Sequence, residues 1–192
     1  MKKKIFFLLK IFFLFLLSIN IVLADLQKNL INKLTSTQTL TFDFKQKIED
    51  QEEVGSCFIK YPLLMKCNYE NLKEKTIISN GKTVAIIKKK YKKIYLYPIK
   101  STPLSFILEK EKIIDLIRKS NPSELNSDLI GFIFSDKKTN EVKMLFDKNS
   151  LELKGWETSD AYSNKVNFEI NNLVINNQIV DDFFKIPQEK DL

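Results

Sequence analysis

The sequence has no histidine, only four glycines and only two cysteines in 192 residues. Histidine is the commonest general base of enzymes and the commonest metal ligand, so its absence argues against most acid–base catalysis and against a zinc site. No glycine-rich phosphate loop is present. The acidic pairs Glu52–Glu53 and Asp181–Asp182 occupy adjacent positions that point to opposite faces of a strand, and we interpret them as solvated. We therefore expect no enzyme, no cofactor and no metal; a serine–lysine or paired-aspartate enzyme is the alternative.

The first 24 residues have the pattern of a secretory signal peptide. Lys2–Lys4 form a basic start, the apolar run Ile5–Leu23 follows with Lys10 as its only charge, and Ala24 ends a stretch suited to signal peptidase. The alternative is an uncleaved membrane anchor, because the run approaches spanning length. No cysteine stands at the predicted cleavage point, so no lipid-attachment signal is visible. We expect a secreted protein that is released in soluble form, with a single domain over residues 25–192.

The predicted mature domain is mildly positive. The whole chain has 31 basic and 24 acidic residues and a net charge of +7, which falls to +3 when the four lysines of residues 1–24 are removed. This charge is too small to indicate nucleic-acid binding. Lysines cluster at positions 88–90 and 92–93. We interpret the cluster as a solvated hairpin turn or, alternatively, as a contact for an acidic partner or an anionic bilayer.

The two cysteines stand symmetrically around a proline. Cys57 and Cys67 each lie five residues from Pro62. If residues 61–63 form the turn of a hairpin, the two cysteines are directly opposed, with Cβ atoms roughly 4.5–5.5 Å apart. That separation is close to disulfide geometry, and an exported protein meets an oxidising compartment. We predict a Cys57–Cys67 disulfide; two free thiols packed as small hydrophobes are the alternative.

Periodicity predicts one helix followed by a series of strands. Residues 25–36 place leucine and isoleucine at helical spacing, and from residue 40 the period changes to two. Further strands are predicted at residues 54–61, 64–69, 75–79, 82–88 and 92–97. Asn80–Gly81 is typical of a two-residue hairpin turn, because both positions tolerate positive φ.

The second half of the chain begins with a helical segment and returns to strands. Pro103 suits the first turn of a helix over residues 104–108, and residues 111–119 continue helically. The polar residues 121–128 are predicted to form a loop. Strands are predicted at residues 129–135, 141–146, 151–158, 165–170, 173–175 and 183–186.

Hairpins that follow one another predict an antiparallel meander, and a sheet of so many strands curls instead of staying flat. The predicted fold class is α+β: a curved antiparallel β-sheet, an incomplete barrel of about 10–11 strands, covered by helices on its concave side. The 15 phenylalanines are many for a core under two short helices. They either fill the barrel or line a cavity for an apolar ligand.

Several short motifs follow one another along the mature chain. Phe44-Lys45-Gln46 has the form F-x-Q at the end of the first strand, and residues 55–70 have the form glycine–strand–proline–strand. Further motifs are Ile77–Thr83, Tyr97–Pro98, Ser101–Leu104, Asn171–Asn172 and Phe184–Pro187. In this order they resemble the outer-membrane lipoprotein carrier family, the LolA-like periplasmic chaperones. The resemblance spans nearly all of residues 25–192.

The resemblance implies a periplasmic carrier that accepts lipoproteins released from the inner membrane and shields their acyl chains during transfer to the outer membrane. It implies acylated lipoproteins as cargo, an inner-membrane ABC-type exporter as donor, and an outer-membrane acceptor where one is present. We further expect a monomer that binds no nucleic acid. The alternative is a lipid or lipoprotein sensor or binding protein of the same fold, such as a glycolipid carrier or an envelope-stress sensor.

Two positions depart from the family pattern. The family often has arginine before the hairpin proline, where it helps to hold the lid shut, and this chain has Tyr61 there. An aromatic residue is common at the position of Cys67. A Cys57–Cys67 disulfide would stiffen the hairpin in its place. Both changes put the usual lid latch in doubt and leave the carrier interpretation standing.

Strand parity predicts which side chains contact an acyl chain. Opposed pairing around Pro62, and pairing of Ile77 with Val84 across the Asn80–Gly81 turn, put one apolar set on a common face. The predicted contacts are Phe42, Phe44, Ile59, Tyr61, Met65, Tyr69, Ile77, Val84 and Ile86 from the strands, and Leu104, Ile107 and Leu108 from the lid. Ordinary core packing is the alternative for each of them.

Overall fold

The computed structural model describes residues 25–70, 74–135, 141–160 and 162–192. The predicted signal peptide, residues 1–24, lies outside the described residues. Helix α1 covers residues 25–36, and the central helices are α2 (Leu104–Leu108) and α3 (Lys110–Lys119). The strands are β1 (Thr39–Ile48), β2 (Gln51–Lys60), β3 (Leu64–Tyr69), β4 (Lys75–Asn80), β5 (Thr83–Lys88), β6 (Lys93–Pro98), β7 (Glu124–Leu125), β8 (Leu129–Ser135), β9 (Glu141–Asp147), β10 (Leu153–Ser159) and β11 (Lys165–Ile175).

These eleven strands of the described residues form one curved, open antiparallel sheet, in the order β6-β5-β4-β3-β2-β1-β11-β10-β9-β8-β7. Each strand pairs with the strand that follows it in the chain, except β6 and β7, which form the two edges of the sheet. At the centre of the sheet the first strand, β1, pairs with the last, β11. The predicted α+β class with an incomplete barrel is confirmed.

Alternating side chains decide which face of each strand is buried. In β1, Phe42 and Phe44 are almost fully buried while Asp43 between them is exposed. The helices show the corresponding stripe: Leu30 in α1 and Ile117 in α3 have no exposed surface. Burial of one such side chain contributes about 1.5–3 kcal/mol, so this patterning sets the inner face of the sheet.

The hairpin formed by β2 and β3 has the predicted register. Cys57 lies opposite Cys67, and Ile59 lies opposite Met65. The two cysteines are joined by a disulfide, with their Cα atoms 4.1 Å apart. The Tyr61–Pro62 peptide bond in the turn is cis.

The next hairpin differs from the prediction by one position. Ile77 pairs with Ile86 and not with Val84, so the two-residue turn is Gly81–Lys82. Gly81 has a φ of +91°, and the side chain of Asn80 accepts hydrogen bonds from the backbone N–H groups of Lys82 and Thr83. Asn80 therefore acts as the cap of the turn, not as one of its central residues. The shift moves each partner by two residues, so the same side chains still share a face.

Three predicted segments in the second half are corrected. The loop predicted at residues 121–128 contains the short edge strand β7. The two strands predicted at residues 165–170 and 173–175 are continuous in β11, where Asn172 adopts a positive φ beside a register shift. The last strand is instead a 3₁₀ helix, Asp181–Phe184, because Phe184 turns into the core and its ring is 1% exposed.

Helices α1 and α3 are fastened to each other over the concave face. The side-chain amide of Gln27 donates to the carbonyls of Ser120 (2.8 Å) and Ile117 (3.3 Å). At the other end of α3, the ammonium group of Lys110 donates to the carbonyls of Thr37 (2.8 Å) and Thr35 (3.2 Å). Within the described residues, no helix is both long enough and apolar enough to cross a membrane.

Candidate functional site

A cavity of about 350 Å³ lies between the concave face of the sheet and the segment that leads into α2. Two groups of strands contribute its walls: β1 and β3–β6 on one side, β10 and β11 on the other. Its lining residues are Gln46, Ile48, Met65, Cys67, Tyr69, Lys75, Ile77, Val84, Ile86, Tyr97, Thr102, Pro103, Leu104, Ile107, Trp156, Thr158, Asp160, Val166 and Phe168. Most of the lining is apolar, which suits an apolar ligand.

Aromatic rings form one wall of the cavity. The indole of Trp156 stacks on the ring of Phe168 with centroids 4.0 Å apart and planes 8° apart. Phe168 also stacks on Phe44 at 4.7 Å, and Phe44 meets Tyr69 edge to face at 4.8 Å. The four rings thus run across β10, β11, β1 and β3, and they join the two halves of the sheet through contacts typical of aromatic pairs.

Glycine makes this stack possible at one point. Gly55 in β2 lies between Phe44 and Tyr69 in the strand ladder. A Cβ atom at position 55 would stand 2.9 Å from the Phe44 ring and 2.0 Å from the carbonyl oxygen of Asn68. The absence of a side chain there lets the Phe44 ring lie across β2 toward β3.

The cavity has one polar end. The hydroxyl of Tyr69 donates to the side-chain oxygen of Gln46 at 3.0 Å, and the amide nitrogen of Gln46 donates to Glu53 at 3.3 Å. Lys75 pairs with Glu53, and its ammonium group stands 3.7 Å from the Tyr69 ring centroid. Burial, with a smaller effect of the Glu53 charge, raises the pKa of Tyr69, so its hydroxyl stays protonated and remains a donor.

The short helix α2 closes one side of the cavity. Leu104 and Ile107 point into the cavity lining, while Leu108 is fully buried in the core. Glu109 has a non-helical backbone (φ −100°, ψ 81°) and separates α2 from α3. Because of this break, α2 and α3 are separate helical segments, and α3 is fastened to α1.

Seven of the twelve predicted contact residues line this cavity: Met65, Tyr69, Ile77, Val84, Ile86, Leu104 and Ile107. The structure places Phe42, Phe44, Ile59 and Leu108 in the packed core beside it, each no more than 2% exposed. Tyr61 lies elsewhere, against Leu63 and Lys110 in a separate surface pocket. Contact of any of the twelve residues with an acyl chain stays a prediction, and for the four core residues it requires the interior to open.

Sequence reasoning missed the far wall of the cavity. Trp156, Val166 and Phe168 belong to β10 and β11, more than 80 residues away from Met65. The sequence shows that these residues alternate with polar ones. It does not show that β11 pairs with β1, and this pairing brings them to the site. Gln46, directly after the predicted contact Phe44 and its neighbour Lys45, was also missed, although the F-x-Q motif contains it.

The described residues contain no cluster of three or more histidine, cysteine, aspartate or glutamate side chains that could hold a metal ion. The site consists of apolar side chains and the Lys75–Glu53 ion pair at its polar end. Its evident chemical capability is to bind apolar groups.

A profile of the family described as "Outer membrane lipoprotein carrier protein LolA" matches residues 35–187. No curated protein sequence matches the chain.

The chain is similar to several solved structures at low sequence identity, and one of them reaches a TM-score above 0.5. A conserved protein from Thermus thermophilus is 8% identical with a TM-score of 0.51, over 85% of this chain and 94% of that one. A putative outer membrane lipoprotein-sorting protein domain from Vibrio parahaemolyticus is 8% identical with a TM-score of 0.46, over 84% and 94%. MucB in the Pseudomonas aeruginosa MucA/MucB complex is 9% identical with a TM-score of 0.45, over 86% of this chain and 62% of that one.

Proposed function

The chain belongs to the outer membrane lipoprotein carrier (LolA) family, and on that premise we propose that it carries lipoproteins through the periplasm. It accepts them from an ABC-type exporter in the inner membrane and shields their acyl chains. It then delivers them to the outer membrane, through an acceptor where one is present. The role is one of binding and release, without catalysis.

The observation that carries this proposal is the cavity of about 350 Å³. A fully packed interior would have no room for a ligand, because protein cores leave few voids larger than a water molecule. Here the half of the concave face beneath α2 is hollow, and Ile77, Ile86 and Leu104 are only partly buried along it.

The energetic case for such a carrier is simple. Exposing an acyl chain of about 16 carbons to water costs on the order of 10 kcal/mol, at roughly 0.8 kcal/mol per methylene. Side chains such as Met65 and Phe168 replace water around the chain. Release then requires a destination that is at least as apolar, and a bilayer or an acceptor with a larger hollow supplies it.

The present cavity volume supports a lid that moves. It lies near the lower limit of ligand pockets, about 300 Å³. We therefore expect a long acyl chain to displace α2 or to extend through the mouth of the cavity. The backbone break at Glu109 makes α2 a segment separate from α3.

A release assay with spheroplasts tests the proposal. Spheroplasts that hold newly made lipoproteins are incubated with the purified protein, and the soluble protein–lipoprotein complex is isolated and identified by mass spectrometry. Ile86→Glu places a charge in the cavity at a half-buried position. We expect it to lower the amount of complex at least about tenfold, because burying an unpaired carboxylate beside an acyl chain is strongly unfavourable.

The matched control is Ile133→Glu, which makes the same exchange on β8, where the side chain is 43% exposed and away from the cavity. It should release lipoproteins as the unmodified chain does. Circular dichroism and thermal unfolding establish that both variants are folded. Equal complex formation by the two folded variants would contradict the proposal, and so would failure of the unmodified chain to bind any acylated protein or acyl chain.

A further inference from the structure

The hairpin that joins β5 and β6 carries a dense group of positive charges. We call residues 88–93 the basic hairpin; five of its six residues are lysine, and the sixth, Tyr91, is 54% exposed. Among the described residues, none of these five lysines forms an ion pair. The basic hairpin thus presents uncompensated charge to solvent at the edge of the sheet.

The charge of the basic hairpin affects the pKa of a neighbouring lysine, Lys66. Lys66, on β3, lies on the outer face of the sheet with its ammonium group 4.2 Å from the Phe183 ring centroid. Its pKa lies below the usual value, first because of burial and second because of repulsion by Lys89. Lys89 of the basic hairpin therefore lies within electrostatic reach of Lys66.

The basic hairpin continues into the mouth of the cavity. Tyr95 pairs with Ile86 and Tyr97 with Val84, so both tyrosines stand on the concave side of the edge strand β6. Each is 44% exposed, and Tyr97 is itself part of the cavity lining. Lysines, exposed tyrosines and the opening of the cavity follow one another along this single edge of the sheet.

We propose that the basic hairpin, together with Tyr95 and Tyr97, docks the protein on the surface of an anionic phospholipid bilayer. Anionic headgroups attract clustered lysines, and tyrosine is enriched at membrane–water interfaces because its ring is apolar and its hydroxyl is polar. This surface rests on the proposed carrier function and extends it: docking brings the mouth of the cavity to the bilayer, so an acyl chain passes between them with little exposure to water.

The side chains favour a bilayer over an acidic protein partner. The half-exposed rings of Tyr95 and Tyr97 stand beside the lysines on the same edge strand, and tyrosine is enriched at membrane–water interfaces. The position at an exposed hairpin tip next to half-exposed rings suits a fluid, laterally mobile surface.

Vesicle binding tests the proposal. The exported form of the protein is purified and sedimented with two kinds of vesicle. One kind is phosphatidylcholine containing about 30% phosphatidylglycerol, and the other is phosphatidylcholine alone. The docking variant is Lys89→Gln/Lys90→Gln/Lys93→Gln; Lys92 is kept because its φ is +49°. The control variant, Lys28→Gln/Lys154→Gln/Lys165→Gln, removes the same charge from exposed sites on α1, β10 and β11.

We expect the unmodified chain and the control variant to bind the anionic vesicles at least about tenfold more tightly than the docking variant, and to lose this binding at about 0.5 M salt. Equal binding by the two variants, or equal binding of neutral and anionic vesicles, overturns the proposal. A third outcome also overturns the proposal: neither the unmodified chain nor any variant binds vesicles, and only the docking variant fails to take lipoproteins from purified exporter. That outcome would identify an acidic protein as the partner.

A second readout separates this proposal from the carrier function. Binding of a soluble acyl-chain probe depends on the cavity and should be unchanged in the docking variant. If the unmodified chain binds the probe and ignores anionic vesicles, only the docking surface is wrong. If it does not bind the probe, the carrier function fails, whatever happens with vesicles.

Discussion

The backbone N–H of Leu63 donates a hydrogen bond of 2.9 Å to the carbonyl oxygen of Leu108. This bond connects the turn of the disulfide-linked hairpin to the last residue of α2, so it holds the lid at its C-terminal end. Close by, the ammonium group of Lys110 lies 5.8 Å from the Tyr61 ring centroid. Tyr61, directly before the hairpin proline, thus contacts a lysine of α3.

Loss of the Lys110 ammonium should weaken the attachment of α3 to α1. Lys110→Met keeps most of the apolar stem and removes the hydrogen bonds to the carbonyls of Thr35 and Thr37. Because the site is partly exposed, we expect a loss of about 1 kcal/mol in the free energy of unfolding, together with faster hydrogen exchange at the Leu63 amide. Chemical denaturation and hydrogen exchange measured by NMR check both expectations.

The control for that prediction is Lys112→Met on the same helix, where the ammonium group pairs only with Glu109 at the surface. It should change the free energy of unfolding by no more than about 0.5 kcal/mol and leave Leu63 exchange as it was. If Lys110→Met behaved in the same way, Lys110 would have no role in holding α3 to α1.

Substitution of Gly55 by alanine should disturb the aromatic stack. The new Cβ would overlap the carbonyl oxygen of Asn68 at 2.0 Å and press on the Phe44 ring at 2.9 Å. Overpacking of this kind typically costs about 1–3 kcal/mol, and we expect about 3 kcal/mol because one of the two contacts is with backbone. Urea denaturation measures the change, with Ser56→Ala on the same strand as the control; a cost below about 0.5 kcal/mol would be inconsistent with the close packing of Phe44 across β2.

Reduction of the Cys57–Cys67 disulfide should destabilise the protein. The bond closes a loop with a sequence separation of 10, and the chain-entropy argument gives about 3 kcal/mol for a loop of this size. We expect the urea midpoint to fall when dithiothreitol is added. The double variant Cys57→Ala/Cys67→Ala should unfold at a lower midpoint that does not depend on the reductant; a midpoint that is equal in all three samples would argue against a bond in solution.

The single tryptophan of the chain offers a direct probe of cavity occupancy. Trp156 lines the cavity and is 5% exposed. We expect a fatty acid brominated along its acyl chain to quench Trp156 fluorescence progressively in the unmodified chain and in Ile133→Glu, because bromine quenches at contact. Quenching should be much weaker in Ile86→Glu. Equal quenching of both variants would place the acyl chain outside the cavity.

Much of the fold could be predicted because most strand pairs are local. The opposition of Cys57 and Cys67 follows from their equal distance to Pro62, and the structure has this register. The turn after β4 was predicted one residue too early because Asn80 resembles a central turn residue although its side chain caps the turn. Phe184 shows the opposite limit: its apolar neighbours suggested a strand, and the segment instead forms a 3₁₀ turn that packs on β3 and β4 and buries Phe184.

The predicted contact residues divide for the same reason. Strand parity correctly assigns Ile77, Val84 and Ile86 to one face, and parity survives the shift in register. Parity does not distinguish a side chain that lines a hollow from one that lies under a helix. Phe42 and Ile59 lie on the same face as Met65, but they are buried in the packed core and do not line the cavity.

Features that depend on neighbours along the chain follow from the sequence: the strand period, the hairpin order, the opposition of the cysteines and the basic charge of the β5–β6 turn. The tertiary structure was needed to show that β11 returns to β1, which sets Phe168 against Phe44. It also decided that α1 and α3 lie bound together while α2 stands over a hollow. A cavity remains where segments that are distant in the chain enclose more space than their side chains fill. A local sequence pattern reports neither the enclosed space nor the side chains of the distant segments.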